Sequence, residues 1–381
     1  LKYRRFGSLG WESSILGFGT ARLPLGESAP THIGSKASIE MIRYAINSGI
    51  NYLDLGYPHD MGRQEWVSEI IREALLDGYR ERIKVAVTLP SHLLHSRADF
   101  DLYLDRQLNW LQTDRISFCL FGRLNRYNWP ILQKLGAQSW AQAAIADGRI
   151  DAIGFSFHDH FQALRNVLSA YDGWSLCQFQ FSYMDIDHDP GIGGIKYAAN
   201  KGLAVVVTEP LRSGRLAKEP PDPVGKIWGG LLEGFNLAEW GMRFVWNYPE
   251  VTTAIRDFCS IHEVAENADI AHRTESNSLS VQDELLINNV RDEYRKLGRI
   301  RCSSCRPCMP CPEGIDVPRI FELYNDAFIY EDIETARSLY RSELHRADRC
   351  NRCMDCEKRC TRKLDIVVRL EQAHKLLADS K

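Results

Sequence analysis

Between residue 15 and about residue 272, short apolar runs alternate with stretches of helical periodicity. No other feature of the 381-residue chain restricts its fold as tightly. Runs rich in β-branched and aromatic side chains read as buried strands. Apolar residues recurring three and four apart read as the helices between them. Strands are expected at Ile15–Gly19, Asn51–Leu55, Ile83–Thr88, Ile116–Phe121, Ile150–Ser156, Leu176–Gln180, Ala204–Thr208 and Thr252–Ile255. Ser38 is expected to open the first helix and Asn47-Ser48-Gly49 to close it. Asp77-Gly78 and Asp147-Gly148 end two others, and Asp99 is a candidate cap. About eight strands with as many helices in about 270 residues is the size of a (β/α)8 barrel. A doubly wound sheet needs fewer strands and a Gly-rich first turn, which is absent here. Tyr3–Ile15, with Gly7 and Gly10, reads as a small hairpin, and the proline-rich stretch 219–223 as a loop after the seventh strand.

Eight of the eleven cysteines lie in two tight runs near the C-terminus. The first is Cys302, Cys305, Cys308 and Cys311, followed by Pro312; the second is Cys350, Cys353, Cys356 and Cys360, followed by Thr361. Steps of three and four residues let one short loop wrap a cubic cluster with thiolates. Two-cluster ferredoxins hold two 4Fe–4S centres this way, the last cysteine of each run ligating the other cluster. On that pattern Cys302, Cys305 and Cys308 join Cys360, and Cys350, Cys353 and Cys356 join Cys311. The first run has two residues before its fourth cysteine where three are usual, and the second lacks the usual following proline. Neither change removes a thiolate. The competing reading is a pair of four-cysteine zinc sites, although zinc ribbons pair two cysteines from each of two knuckles. Disulfides among thiols this close would close strained, very short loops.

Between the runs, Ile320, Leu323, Tyr324 and Phe328 recur at helical spacing, and Ala336, Leu339 and Tyr340 repeat the pattern. The expected layout is therefore a barrel over 1–275, a connecting helix over 276–299 (its charged core at 281–297), and a mainly helical dicluster ferredoxin-type domain over 300–381. A net charge of −3 with mixed signs gives no sign of nucleic-acid binding. No apolar stretch reaches the length of a membrane span, and the first residues do not read as a signal peptide. Together with oxygen-sensitive thiolate clusters this points to the cytoplasm. Cys119, Cys177 and Cys259 stand in apolar context and read as core residues.

Several short motifs, in order along the chain, carry a family resemblance. They are Tyr3-Arg4-Arg5-Phe6-Gly7, Leu16-Gly17-Phe18-Gly19-Thr20, Gly49-Ile50-Asn51-Tyr52-Leu53-Asp54, Ile153-Gly154-Phe155-Ser156-Phe157-His158, Glu209-Pro210-Leu211-Arg212-Ser213-Gly214 and Glu266-Asn267. With the cysteine runs, they make the chain resemble the aldo/keto reductases, in particular the branch with a C-terminal 4Fe–4S domain. The resemblance implies a barrel that binds NADPH and transfers hydride to a carbonyl. A Tyr gives the proton, its acidity adjusted by a Lys and an Asp, and a His orients the substrate. Asp54 matches the Asp. The Tyr position, five residues on, holds His59, with Tyr57 nearby but out of register. Thr88 stands where the Lys ends strand 3, and Gly122 where the His ends strand 4. These exchanges speak against ordinary NADPH-dependent carbonyl reduction. The resemblance places Ser156 and Gln178 at the nicotinamide carboxamide, Glu266 and Asn267 near the adenine, and Arg212 among the cofactor-binding residues. Relatives run Ser-Gly-Met where this chain has Arg256-Asp257-Phe258. Arg256 can hold a phosphate, while Asp257 puts a carboxylate where backbone should approach an anion.

His59 beside Asp54 is a candidate acid–base group. A polar set at the same end comprises His92, His95, His158, Asp159, His160, Asp185, Asp187, His188 and Asp189; it reads as a divalent metal site or as loops capping a barrel. Larger space at Thr88 and Gly122 would admit a bulkier substrate or a flavin. Three functions remain: an iron–sulfur oxidoreductase with a rewired site, acting on a small molecule; an electron-transfer subunit docking on a partner protein that donates or accepts electrons; and a lyase or dehydratase using the His-rich face.

Overall fold

The structure, a computed structural model, describes residues 1–24, 32–56, 61–187, 190–229, 236–341, 343 and 346–378. The chain divides into two compact units. One comprises Leu1–Ser213 and Ala238–Leu279, the other Gly214–Leu237 and Ser280–Lys381.

In chain order the elements begin β1 (Tyr3–Arg5), β2 (Glu12–Ser14), β3 (Leu16–Gly19), α1 (His32–Asn47), β4 (Tyr52–Asp54), α2 (Met61–Ala74), β5 (Lys84–Leu89) and α3 (Arg97–Leu111). They continue with β6 (Ile116–Leu124), α4 (Asn128–Lys134), α5 (Ala137–Ala146), β7 (Ile150–Phe157), α6 (Phe161–Ala170), β8 (Leu176–Gln180), α7 (Gly191–Asn200) and β9 (Ala204–Thr208). After α8 (Asp222–Trp228) come α9 (Leu237–Trp246), β10 (Thr253–Asp257) and α10 (Ile261–Arg273). The tail adds α11 (Val281–Leu297), α12 (Val317–Ile329), α13 (Ile333–Arg341), α14 (Asp355–Arg359) and α15 (Ile366–Ala378).

Eight parallel strands close in the order β10-β3-β4-β5-β6-β7-β8-β9, the expected (β/α)8 barrel. The hairpin β1–β2 packs into one end of it. Phe6 stacks with its ring centroid 4.7 Å from Phe118 and 5.7 Å from Tyr52, and Trp11 covers it at 5.0 Å. Gly7 makes that insertion sterically feasible: its φ is +56°, and a Cβ there would lie 2.5 Å from the backbone nitrogen of Ala204.

Two local expectations need correction. Ser38 does not open α1; it lies inside the helix and is fully buried, because packing of the helix face overrides the preference of serine for caps. The stretch 219–223 is not only loop, since α8 starts at Asp222 with Pro223 in its first turn, where a missing N–H costs nothing. Asp99 does act at a helix start, as the third residue of a capping box with Ser96.

The second unit is helical. α11 opens on a Ser280/Asp283 capping box. Ile320, Phe321, Leu323, Ala336, Tyr340 and Leu370 form its core, with Cys308 and Cys356 buried in the same cluster. The 214–237 segment, though it follows the seventh barrel strand in sequence, belongs to this unit: α8 packs on α11. Buried Arg215 pairs with buried Asp326 at 2.8 Å, and its guanidinium lies 4.8 Å from the ring centre of Tyr330. Asp326→Ala leaves the arginine charge buried without its carboxylate. It is expected to destabilise the second unit by roughly 3–5 kcal/mol in denaturant unfolding, whereas the double variant Arg215→Met/Asp326→Leu is expected to recover most of that loss.

Candidate functional site

Strand register brings two carboxylates together at the C-terminal end of the barrel strands. Asp257 of β10 is level with Gly19 of β3, and Gly19 is level with Asp54 of β4. The glycine is what makes room: a Cβ on Gly19 would lie 2.3 Å from Oδ1 of Asp257. That oxygen accepts a hydrogen bond from the Ala21 N–H at 3.0 Å. Asp54 accepts from the Gly56 N–H at 2.6 Å and from Nε2 of Gln178 at 3.3 Å. Burial pushes the Asp54 carboxyl up to about 7, helped by the negative charge of Asp257 and opposed by its two hydrogen bonds. Burial and the Glu209 carboxylate push Asp257 up to about 6, against the pull of the Ala21 N–H and of Arg256 and Arg22.

The cysteines of the second unit gather around two hollows. One is lined by Cys302, Cys305, Cys308 and Cys360, the other by Cys350, Cys353, Cys356 and Cys311. Each run thus gives three thiols to one hollow and its fourth to the other, and Val317 lines both. Left-handed backbone at Ser304, Arg306, Arg352 and Met354 turns the loops between cysteines sharply. Arg359 ties the two runs together, donating to the carbonyls of Met309 and Pro310 at 3.0 Å each. The Ser304 and Leu364 N–H groups point at the sulfurs of Cys302 and Cys360, each at 3.4 Å.

The family model described as "Aldo/keto reductase family" matches residues 15–280. This chain belongs to the aldo/keto reductase family. Among solved structures it is similar to an aldo-keto reductase of Bacillus halodurans in its holo form, with 20% identity over 76% of this chain and 96% of that one and a TM-score of 0.61. An aldo/keto reductase of Klebsiella pneumoniae in complex with NADP and acetate matches at 20% identity, 76% and 95% coverage and TM-score 0.60. A thermostable aldo-keto reductase in complex with the inhibitor epalrestat matches at 21%, 76% and 100%, with TM-score 0.60. No curated protein sequence matches the chain.

As a member of this family the chain has a changed barrel mouth. Tyr57 and His59 lie outside the described residues. Thr88 is buried on β5, and Gly122 lies in β6 where the register with β7 shifts between Phe121 and Leu124. Ser156 accepts from the Arg123 N–H at 2.6 Å, so this hydroxyl and the Gln178 amide both engage the chain itself. Arg212 is buried and ion-paired with Asp185. Arg256 is buried, with burial lowering its pKa and Glu263 opposing. Glu263 in turn sits at the start of α10 and accepts from the Cys259 N–H at 3.1 Å. Glu266 is half-buried on the same helix, and Asn267 is fully buried, its Nδ2 donating to the Glu263 carbonyl at 2.8 Å. Cys259 is exposed rather than a core residue, because it sits in the turn after β10 and not within the strand. Cys119 and Cys177 are buried.

The polar loop residues are largely occupied. Asp159 pairs with Arg126, His160 caps α6 through Nδ1 at 3.0 Å from the Ala163 N–H, and Asp185 accepts from Ser182 at 2.5 Å. His188 and Asp189 fall outside the described residues. Among the described residues no three His, Cys, Asp or Glu side chains converge as ligands of a single metal ion, and no helix is long and apolar enough to cross a membrane.

The partnership of Asp54 with Asp257 spans most of the barrel in sequence and has no local motif; only the closing register reveals it. A carboxyl whose pKa is raised on folding keeps its proton where the unfolded chain has lost it. Its contribution is therefore full below about pH 4 and declines as the pH rises to about 7. Asp54→Asn is expected to flatten this decline. In denaturant unfolding it should raise stability at pH 8 relative to wild type by on the order of 1–3 kcal/mol, with little gain at pH 4.

Proposed function

We propose that this aldo/keto reductase family member is an iron–sulfur oxidoreductase. Its eight clustered cysteines would hold two 4Fe–4S clusters, which would supply one-electron chemistry for a cofactor or substrate of the barrel. The observation that carries the reading is the grouping of eight cysteines, three and one, around two hollows. Soft thiolates in this number, three from one run and one from the other at each hollow, suit iron–sulfur clusters. Cys302, Cys305, Cys308 and Cys360 would hold one cluster, and Cys350, Cys353, Cys356 and Cys311 the other. Bound clusters supply reversible one-electron storage. The chain supplies the rest: N–H groups aimed at sulfur, which stabilise thiolate charge, and Arg359, which locks one run onto the other.

At the barrel mouth, Asp54 is the group placed to hold and release a proton at neutral pH. It does so without the family Lys and His, whose positions hold Thr88 and Gly122. NADP(H), which the Klebsiella pneumoniae structure contains, fits this mouth poorly. Asp257 places a half-buried carboxylate where the resemblance puts a glycine, Glu263 already takes an N–H at the start of α10, and Gln178 is turned to Asp54.

Anaerobic preparation and metal analysis test the reading. Iron and sulfide of about eight atoms each per chain are expected, with about four each in Cys360→Ala. Dithionite should bleach the visible absorption, and NADPH alone should leave it unchanged. About two zinc atoms per chain without sulfide would sink the proposal.

A further inference from the structure

One edge of the cysteine-bearing unit combines an exposed thiolate position with unbalanced positive charge. Cys305 is exposed, and its sulfur lies 3.1 Å from the Thr361 hydroxyl, itself exposed. On the same two loops lie Arg301, Arg362 and Lys363, all exposed. Arg362 lines the same hollow as the four cysteines, Arg301 precedes Cys302, and Lys363 is held close by its N–H to the Cys360 carbonyl at 3.3 Å. Arg306 lines the hollow too, but it is half-buried and paired with Asp316 at 3.1 Å. The bias extends along both cysteine loops. Residues 346–363 hold seven basic side chains against three acidic ones, and 299–313 hold three against one, in a chain whose net charge is −3. The second hollow also has an exposed thiol, Cys353, but its neighbours are balanced: Arg352 pairs with Glu371 and Lys358 with Asp355.

Electron transfer weakens steeply with distance, so a protein carrier must touch a cluster edge. Small redox encounters of this kind bury little area and rely on complementary charge to steer and orient the partners. We propose that the Cys305 edge, framed by Arg301, Arg362 and Lys363, is the docking surface for a small acidic one-electron carrier protein. This rests on the cluster reading above. The step is one electron: the reduced carrier is oxidised, the cluster gains that electron, and no proton or bond changes hands. The basic rim brings the acidic carrier to the one edge where a thiolate is uncovered and positive charge is not neutralised by neighbouring carboxylates.

The test uses the full-length, cluster-loaded protein and a reduced acidic 2Fe–2S ferredoxin as probe, followed by stopped-flow absorbance and by titration calorimetry. The on-rate for the wild type should fall at least tenfold between about 20 mM and 300 mM salt, since steering by exposed charge is screened. Arg362→Glu/Lys363→Glu should lower it about tenfold at low salt, with the two proteins converging at high salt, and should weaken binding in calorimetry to match. Arg352→Glu/Lys358→Glu, on the other edge, should change neither by more than about twofold. Arg301→Gln serves where charge reversal impairs cluster loading, and it should give a smaller loss of the same kind. Loaded clusters with an on-rate insensitive to salt and to these variants would overturn the docking surface alone. So would variants that shift only the cluster potentials, which would make the rim a counter-charge for the clusters. Failure to load iron and sulfide would instead overturn the reading on which it rests.

Discussion

Closure of β10 onto β3 is the constraint on which the first unit depends. Until those strands pair, the sheet has two open edges and no enclosed core. Their register, Asp257 level with Gly19, also decides the chemistry of the mouth. Gly19 leaves space on one row, and the carboxylates on either side of it reach that space together. Each would be costly alone: an ionised carboxylate in a buried site is disfavoured unless hydrogen-bonded or paired. The chain meets that cost in part with N–H donors from Gly56 and Ala21 and the amide of Gln178, and otherwise by letting the acids keep their protons toward neutral pH. Asp54 is therefore held by two hydrogen bonds beside a second acid, an arrangement that favours its protonated form toward neutral pH.

The second unit obeys a different constraint. Its two cysteine loops are separated by two helices, yet each hollow takes a thiol from both. The arrangement of each loop therefore depends on the other and on the packing of α12, α13 and α15 that brings them together. Val317, at the start of α12, sits against both hollows and belongs to the unit's core. The segment 214–237 is tied into the same unit by the Arg215–Asp326 pair and by Lys218 with Asp332 at 2.7 Å. A piece of chain that leaves after the seventh barrel strand thus serves the helical unit rather than the barrel core.

Much of the fold was legible in the sequence because it is written in local periodicity. Leu176–Gln180 and Ala204–Thr208 are strands at the expected residues, and α11 spans the expected charged stretch. Boundaries moved where burial outweighed local preference, as for Ser38 within α1, and where proline in a first turn imitates a loop, as at α8. The site was legible only residue by residue. Asp54 stood out by its motif, but its tie to Asp257 depends on which strands neighbour one another and at what register. Cys259 misled because it stands between apolar Phe258 and Ile261, yet it lies past the end of β10, where the side chain reaches solvent. Assignment of segment 214–237 to the second unit likewise rests on a buried ion pair, which no local pattern announces.

The two units make opposite demands on charge, and this gives the proposed function its logic. A thiolate-bound cluster concentrates negative charge, and the cysteine loops answer with arginine and lysine. The barrel mouth concentrates carboxylates and answers with protons. A hydride-transferring site receives both electrons and one hydrogen from the nicotinamide and needs an acid only for the second proton. A site fed by one-electron carriers must obtain its protons separately, from a group that is protonated near neutral pH and shielded from bulk water. Asp54 has that burial and that titration range. Under the proposed function, a carboxyl that keeps its proton toward neutral pH would supply protons in the barrel, while the cysteine-bearing unit would handle electrons.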